Sequence, residues 1–450
     1  MLTRRSLLQN LTAAAVGAPA PAPALKGNRF LTLATVVRVN QIEVSRDRNA
    51  GVDEAADHTP RNVAAFRAAV ESGWPGARIT WALSWCALRD RRKNYEAIRD
   101  LVSGFHARHG DEVTFIPGGY FANAYNTREQ VNRDLHDALA MVSQIVGRGY
   151  RPRAVIAGFL AAANLRYLAE HEGIHVCQGN IWSQYAIDNQ DGDGSICYPY
   201  YPSREHFCKP AQRRADFIDC VNLDGWTMDF LAARRSGFAH GFNSRMGVGP
   251  IETIRTFGPE KGLRQMMDTA AVHFDGGFDL NGFAWVTNIW EICLIEEFRK
   301  KRGWTGLESL TAWLRETRKR WPQVRCITHG EFGSLWRRRF HDNRRLDYRF
   351  AARGTGLGGS DADKQIRWFM NRDFRLALLR QLSGDTAEQV IDFTRYDLPA
   401  REPLDMTRRW SLLGRINQKN VRPQDAPVPL KSLPAEDLAI IRRHYPELAG

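Results

Sequence analysis

RAVIAGFLAAANLRYLAEHEGIHVCQGN, residues 153–180, decides the fold. Residues 153–159 form a short apolar run. Residues 162–173 then carry Ala162, Leu165 and Leu168 at helical spacing, and residues 174–180 form a second strand-like run. A strand, a helix and a strand in one short stretch is the signature of a parallel pair joined by a crossover helix.

The same alternation runs in both directions from this unit. Strand runs are expected at 29–39, 77–85, 111–119, 216–224, 281–290 and 323–333, and helices at 61–72, 93–110, 127–147, 258–274 and 307–321. The helix at 127–147 is the clearest: Thr127 and Gln130 fit a capping box, and Gly147 stands at its end. Repeated strand–helix units predict an α/β fold with a parallel sheet. Seven or eight of them point to a distorted, closed (β/α) barrel over residues 25–340 rather than an open doubly wound sheet. No G-x-G-x-x-G follows the first strand, which argues against a dinucleotide site. After residue 340 the pattern changes. The stretch RGTGLGGSDAD (353–363) breaks the chain, and the remainder to residue 450 keeps Trp368, Phe369, Phe374 and Trp410. That tail is expected to dock on the barrel as a C-terminal extension.

The N-terminus reads as a targeting segment. Arg4 and Arg5 precede a mild apolar stretch and then GAPAPAPA, residues 17–24. This predicts a twin-arginine signal peptide over 1–24, the twin-arginine (Tat) export machinery as a partner, and a periplasmic or secreted protein. No run of 18 apolar residues offers a membrane span.

The 450-residue chain has a formal net charge of +13, and +11 without the two arginines of residues 1–24. The surplus is scattered, as in WRRRFHDNRR (336–345), and no nucleic-acid motif accompanies it. A solvated basic surface is the plain reading. Attraction to an acidic glycan or a cell envelope is the sharper one. The seven cysteines form no C-x-x-C, and only Cys197 and Cys208 lie in one loop where a disulfide is conceivable.

In a (β/α) barrel the chemistry sits where strands exit. The exits carry Arg38 and Asn40, Trp85, Gln178 and Trp182, Asp224 and Trp226, Asn288, Trp290 and Glu291, then His329 and Glu331. Aromatic faces with amides and carboxylates suit sugar rings. Glycosidic bond cleavage needs one protonated and one ionised carboxyl. Glu331, then Asp224, then Glu291 are the expected catalytic carboxylates, and the three are expected to share one cleft. Taken alone, each carboxylate is as readily an acceptor for loop backbone, and each tryptophan as readily core packing.

IDNQDGDGSICYPYYPS, residues 187–203, is too long and too aromatic for a plain connection. Prolines stiffen it, so it is expected to wall the cleft and present Trp182 with Tyr198, Tyr200 or Tyr201 to substrate. The alternative is a plug that packs on the rim. Asp191 and Asp193 either shape the turn, bond hydroxyls, or hold a divalent cation such as calcium. The calcium-loop pattern breaks at its twelfth position, Tyr200, so a tight turn is the first reading and no metal is assigned.

VVRVNQIEVSRD, EGIHVCQGNIWSQYAID, YPYYPSREHFCKPAQ, DFIDCVNLDGWTMDF, FAWVTNIWE, HGEFGSLWR and VIDFTRYDLP together resemble an uncharacterised family of exported bacterial proteins with two adjoining domains of unknown function. The resemblance spans nearly the whole mature chain. Its barrel is similar to the glycoside hydrolase/deacetylase (β/α) barrel superfamily, which implies a carbohydrate-active enzyme. One departure matters: NodB-type deacetylases carry paired aspartates after the first strand and an H-x-x-x-H motif, and neither is present. A glycoside hydrolase using paired carboxylates without metal is therefore the first expectation. A metal-dependent polysaccharide deacetylase-like enzyme and a non-catalytic glycan-binding protein are the alternatives.

Overall fold

The run Arg29–Val37 forms β1, and every residue after Arg29 is buried. A strand covered on both faces reads as a continuous apolar run, and it takes a central place in the sheet. The structure, a computed structural model, describes residues 24–44, 49–147, 149–183, 192–234, 246–247, 249, 253–406, 409–412, 414–416 and 427–448. The expected signal segment, residues 1–23 of it, lies outside the described residues.

An antiparallel pair, β2 (Asn40–Glu43) and β3 (Asn49–Asp53), follows β1. The chain then alternates through α1 (Pro60–Gly73), β4 (Thr80–Ser84), α2 (Trp85–Arg89), α3 (Lys93–His109), β5 (Glu112–Ile116), α4 (Arg128–Val146), β6 (Val155–Ile156), α5 (Ala162–Glu170), β7 (Val176–Asn180) and β8 (Val221–Asp224). It continues as α6 (Phe230–Arg234), α7 (Arg255–Val272), α8 (Phe278–Asn281), β9 (Ala284–Glu291), α9 (Leu294–Arg302), α10 (Leu307–Arg320), β10 (Val324–Cys326) and α11 (His329–Arg339). Local chemistry sets the boundaries. Thr59 accepts from Asn62 N ahead of Pro60, Thr127 accepts from Gln130 N, and Gly110 ends α3 in the left-handed region at φ 74.

The parallel strands form two sheets. In the first, β9 pairs with β1 along one side. On the other side β10 takes Arg29–Leu31, β4 takes Ala34–Val37, and β5 adds to β4. The second is β6–β7–β8. No ladder joins them among the described residues, which corrects the expectation of a continuously closed barrel. They meet at two seams through a few separate contacts. Phe121 bridges Phe159 at one seam; Thr227 N donates to Thr287 O at 3.0 Å at the other. The short β6, two residues long, is where the ladder runs out.

The C-terminal region is strand-rich. β11 (Asp347–Arg353), β12 (Lys364–Asn371), β13 (Phe374–Gln381), β14 (Gln389–Arg395) and β15 (Val428–Pro429) form an antiparallel sheet in that order, and α12 (Ala435–His444) follows. Alternation sorts its two faces. Tyr348, Phe350, Trp368 and Met370 join the core of the parallel sheets. Phe369, Phe374, Leu376 and Phe393 pack under Ile440, Ile441 and Tyr445. Among the described residues no helix is long and apolar enough to cross a membrane.

The aromatic loop is a plug, which corrects the lid expectation. Tyr198, Tyr200 and Tyr201 are all buried. The Tyr198 hydroxyl accepts from Trp285 N at 2.9 Å, Tyr200 donates to Phe207 O and Tyr201 to Phe340 O. Prolines stiffen a buried wedge as readily as an exposed lid. All seven cysteines are free thiols, Cys197 and Cys208 included.

Arg375 fastens this loop to the C-terminal sheet. It is fully buried and uses all five donors: Nε and Nη2 on Asp392, Nη2 on Asp193, and Nη1 on the carbonyls of Trp182 and Ser195, each at 2.9–3.0 Å. Burial works against its charge, but Asp392 and Asp193 outweigh it and raise its pKa. Arg375→Met strands two buried carboxylates and is expected to cost about 3–5 kcal/mol. Arg375→Lys should rescue little of it, because an ammonium cannot fill the planar fork. Thermal and urea unfolding of the two variants check this.

Candidate active site at the strand exits

The register of β1 on β9 sets Val36 beside Glu291, so Arg38 emerges next to the end of β9. Arg38 is 3% exposed. Its Nε donates to Glu54 Oε2 at 2.5 Å, and its Nη2 donates to Glu54 Oε1 at 2.9 Å and Glu291 Oε2 at 3.0 Å. Glu54 follows β3 directly, and His58 Nε2 lies 3.3 Å from its Oε2. Cys293 Sγ lies 3.7 Å from Glu291 Oε2. Among the described residues, Arg38 Nη1 and Glu291 Oε1 have no hydrogen-bond partner. One donor and one acceptor of the same ion pair are thus left over.

Electrostatics follow from burial and pairing. Burial opposes ionisation of Glu54, but His58 and Arg38 bond to the carboxylate and hold its pKa down at about 2. Burial works against the Arg38 charge, and Glu291 and Glu54 outweigh it. Burial, then Glu291, pushes the Cys293 thiol well up, so it is a neutral SH and not a nucleophile.

The neighbouring loops brace this pair. Glu43 Oε1 accepts from Val39 N and Ser84 Oγ, and its Oε2 from Cys86 N, so its carboxylate staples the exits of β1 and β4. The Tyr95 hydroxyl donates to Arg38 O. Tyr120, after β5, holds φ 99, which is costly for a residue with a Cβ. Its ring stands 5.8 Å from the Arg38 guanidinium and 5.6 Å from the Trp226 ring. Gly158 permits that placement, since a Cβ there would lie 2.3 Å from Tyr120 O.

Of the expected residues, Arg38 and Glu291 come together at adjacent exits. Trp226 lies beside them and donates from Nε1 to Ile289 O. Asp224 ends β8, and its Oδ1 accepts from Trp182 N at 3.0 Å. Burial raises its pKa well above the usual range, against three backbone donors. Asn40 pairs in β2, Trp85 opens α2, and Asn288 and Trp290 are buried in β9. Gln178 is internal, bonded to Gly158 N and Asn180 O. Trp182 is 1% exposed and meets Trp368 edge-on at 5.0 Å, so it is core packing and not a sugar platform.

Glu331 is elsewhere, which corrects its place in the expected cleft. It is the third residue of α11, shares a reciprocal capping box with Thr328, and pairs with Arg78 at 2.8 Å. Arg78 and Arg153, which line the same small cavity, precede β4 and β6, so this is the strand-entry end. His329 is buried between Thr80 and Thr287, where burial pushes its pKa down to about 3. It serves the core. Asp193 pairs with Arg375 at 2.9 Å, and Asp191 lies outside the described residues.

One donor set suits a metal: a carboxylate oxygen of Glu54, a ring nitrogen of His58 and Cys293 Sγ lie within 4.8 Å of one another. Oxygen, nitrogen and sulfur together fit zinc. Arg38 stands among them, however, on both Glu54 oxygens. A cation there must displace the guanidinium. Sequence reasoning missed Glu54, His58 and Cys293. The available signal was Glu54 and His58 four apart, just ahead of the helix cap Thr59.

The chain belongs to the DUF3863 family, a domain of unknown function with a solved structure, which matches residues 23–370. A second domain of unknown function with a solved structure, DUF3864, matches residues 375–448. No curated protein matches the chain. A crystal structure from Parabacteroides distasonis, described as a "putative glycoside hydrolase/deacetylase", is similar at 50% identity and TM-score 0.90, over 95% of this chain and 100% of that one. A GH57-type branching enzyme from Pyrococcus horikoshii is similar at 9% identity and TM-score 0.40, over 68% of this chain and 70% of that one. The peptidoglycan deacetylase PdaC from Bacillus subtilis is similar at 10% identity and TM-score 0.33, over 69% and 93%. The last two resemblances are too weak to bear on this chain.

The lowered Glu54 pKa makes a pH prediction. A depressed carboxyl stabilises the fold above its unfolded value near 4.5, and that share is lost as pH falls through about 2. The share is about 3 kcal/mol at most. Glu54→Gln should be less stable than the wild type at pH 7 and converge with it near pH 2. Urea unfolding over that range reads both limbs.

Proposed function

We propose that this chain is an exported carbohydrate-active hydrolase of glycosidic bonds, working at the exits of β1, β8 and β9. The observation that carries this reading is Glu291: Arg38 holds one of its oxygens, and the other has no partner among the described residues. A carboxylate fixed in that way is oriented and available, as a base or nucleophile must be. Asp224, at the end of β8 with its carboxyl pKa raised by burial, is the acid this reading assigns. Glu54 shares the Nη2 of Arg38 with Glu291, so their oxygens lie at most about 6 Å apart. Glu54 is nonetheless no acid, since His58 and Arg38 keep it ionised; it positions Arg38. Tyr120, buried with its ring 5.8 Å from the Arg38 guanidinium, braces the pair. The 50% identical structure described as a "putative glycoside hydrolase/deacetylase" supports the class. In this reading the two seams close a distorted (β/α) barrel over residues 25–340, and residues 341–450 form the docked extension.

A second reading has one specific observation behind it, the Glu54, His58 and Cys293 donor set. Released from Arg38, it would bind zinc and serve a deacetylase, with the metal polarising an acetyl carbonyl.

A panel of polysaccharides with reducing-end and acetate readouts separates the two. Reducing ends without acetate, unaffected by chelator, are expected. Glu291→Gln should lower that turnover by about a hundred- to ten-thousand-fold while the protein stays folded. An active Glu291→Gln, or acetate release that chelators stop, overturns the glycosidase reading.

Export rests on Arg4, Arg5 and the small-residue stretch to Ala24. Arg4→Lys with Arg5→Lys should keep the protein in the cytoplasm, and cell fractionation reads that outcome.

A further inference from the structure

A cavity of about 480 Å³ opens beside the start of α4 and α5. Both helices follow strand exits, those of β5 and β6, so the cavity belongs to the same end of the parallel strands as Glu291. Arg128, Arg166, Arg204 and Arg401 line it. Its floor is closed by Glu402, whose Oε1 accepts from Ala162 N and Phe207 N at 2.8 Å each, and whose Oε2 meets Arg128 at 3.3 Å. That carboxylate has already taken the anion place at the start of α5. The arginines above it are less well matched. Arg166 and Arg204 share the single carboxylate of Glu170, at 3.7 and 3.1 Å. Glu205, the other acid in the wall, is taken by Lys209 at 2.5 Å. Arg401 is exposed and has no ion-pair partner among the described residues. Four arginines therefore line the cavity beside two carboxylates, both already engaged. Apolar surface from Ala163, Pro399 and Leu404 completes the wall, and Leu404 is 76% exposed.

Guanidinium forks around an apolar-walled hollow suit an anion carried on a compact ring: two N–H groups meet one carboxylate or sulfate, and C–H faces lie on Leu404 and Pro399. We infer that this cavity is a subsite for an acidic sugar residue, a uronate or a sulfated sugar, of an oligosaccharide bound across the strand exits. The inference rests on the carbohydrate reading and names its substrate class. It also gives part of the basic surplus a local task rather than a diffuse one.

The test uses the purified full chain and three probes: trigalacturonate, its fully methyl-esterified neutral form, and a sulfated heparin disaccharide. Calorimetric titration is run at low and high salt. Trigalacturonate or the sulfated disaccharide is expected to bind at least about tenfold more tightly than the neutral ester, and to weaken with salt. Which of the two binds identifies the anion. Arg401→Ala and Arg166→Ala, both at exposed positions, should each weaken that binding about fivefold or more with unchanged melting temperature. Arg401→Lys should restore part of it. Equal binding of the neutral ester, no binding of either anion, or wild-type affinity in both alanine variants overturns the subsite. The hydrolase reading fails separately. A chain that binds acidic probes through Arg166 and Arg401 but cleaves nothing keeps the subsite and loses the reaction. Cleavage of neutral glycans without acidic binding does the reverse.

Discussion

Arg375 holds the molecule together. A guanidinium taken wholly out of water is affordable only if every donor finds an acceptor. Here all five do, on two aspartates and two carbonyls. Those acceptors belong to different parts of the chain: Asp392 to β14, and Trp182, Asp193 and Ser195 to the loop after β7. The C-terminal sheet is therefore not an appendage resting on a finished α/β body. Its strand β13 supplies the cation to which Trp182, Asp193 and Ser195 of the loop after β7 are fastened.

Arg38, the other buried guanidinium described above, differs in a way that separates structure from function. Arg375 has no donor to spare. Arg38 has Nη1 to spare, and its partner Glu291 has Oε1 to spare, among the described residues. A fully satisfied buried network rigidifies; one left open at the end of the strands offers a ligand a donor and an acceptor already held in place. Tyr120 beside it holds φ 99, with Gly118 and Gly119 before it at φ 59 and 62. Such strain persists only where packing over-determines it.

The sequence made the parallel strands legible because each carries a local signal: apolar runs, caps and glycines. It made Arg38 and Glu291 legible because β1 and β9 are long and pair in simple register, so the residues after them do stand at one end. The same rule misplaced Glu331. β10 is three residues long and pairs only with Arg29–Leu31, the first part of β1. Its last residue is thus still deep in the sheet, and α11 starts almost at once. His329 turns into the core and Glu331 falls back to the strand-entry end beside Arg78. Which part of β1 would receive β10 is a long-range pairing that no local pattern encodes. The closing of the strands was over-read for a like reason, since β6 gives only two residues to a ladder.

The aromatic loop shows the limit from the other side. Its prolines predict stiffness, but stiffness does not say which way tyrosines face. Burial decides it, and each of the three hydroxyls has a partner inside the protein. A loop so anchored cannot open over a substrate without breaking those bonds and exposing three rings, so its bearing on the site is through fixed geometry. The route is short. Trp182 receives Arg375 Nη1 on its carbonyl and gives its own N–H to Asp224 Oδ1. One residue of the plug therefore joins the cation of the C-terminal sheet to the carboxyl at the end of β8. The position of Asp224 depends on a strand about 150 residues further along the chain. The loop after β7 and the C-terminal sheet thus hold the Asp224 carboxyl in place through Trp182.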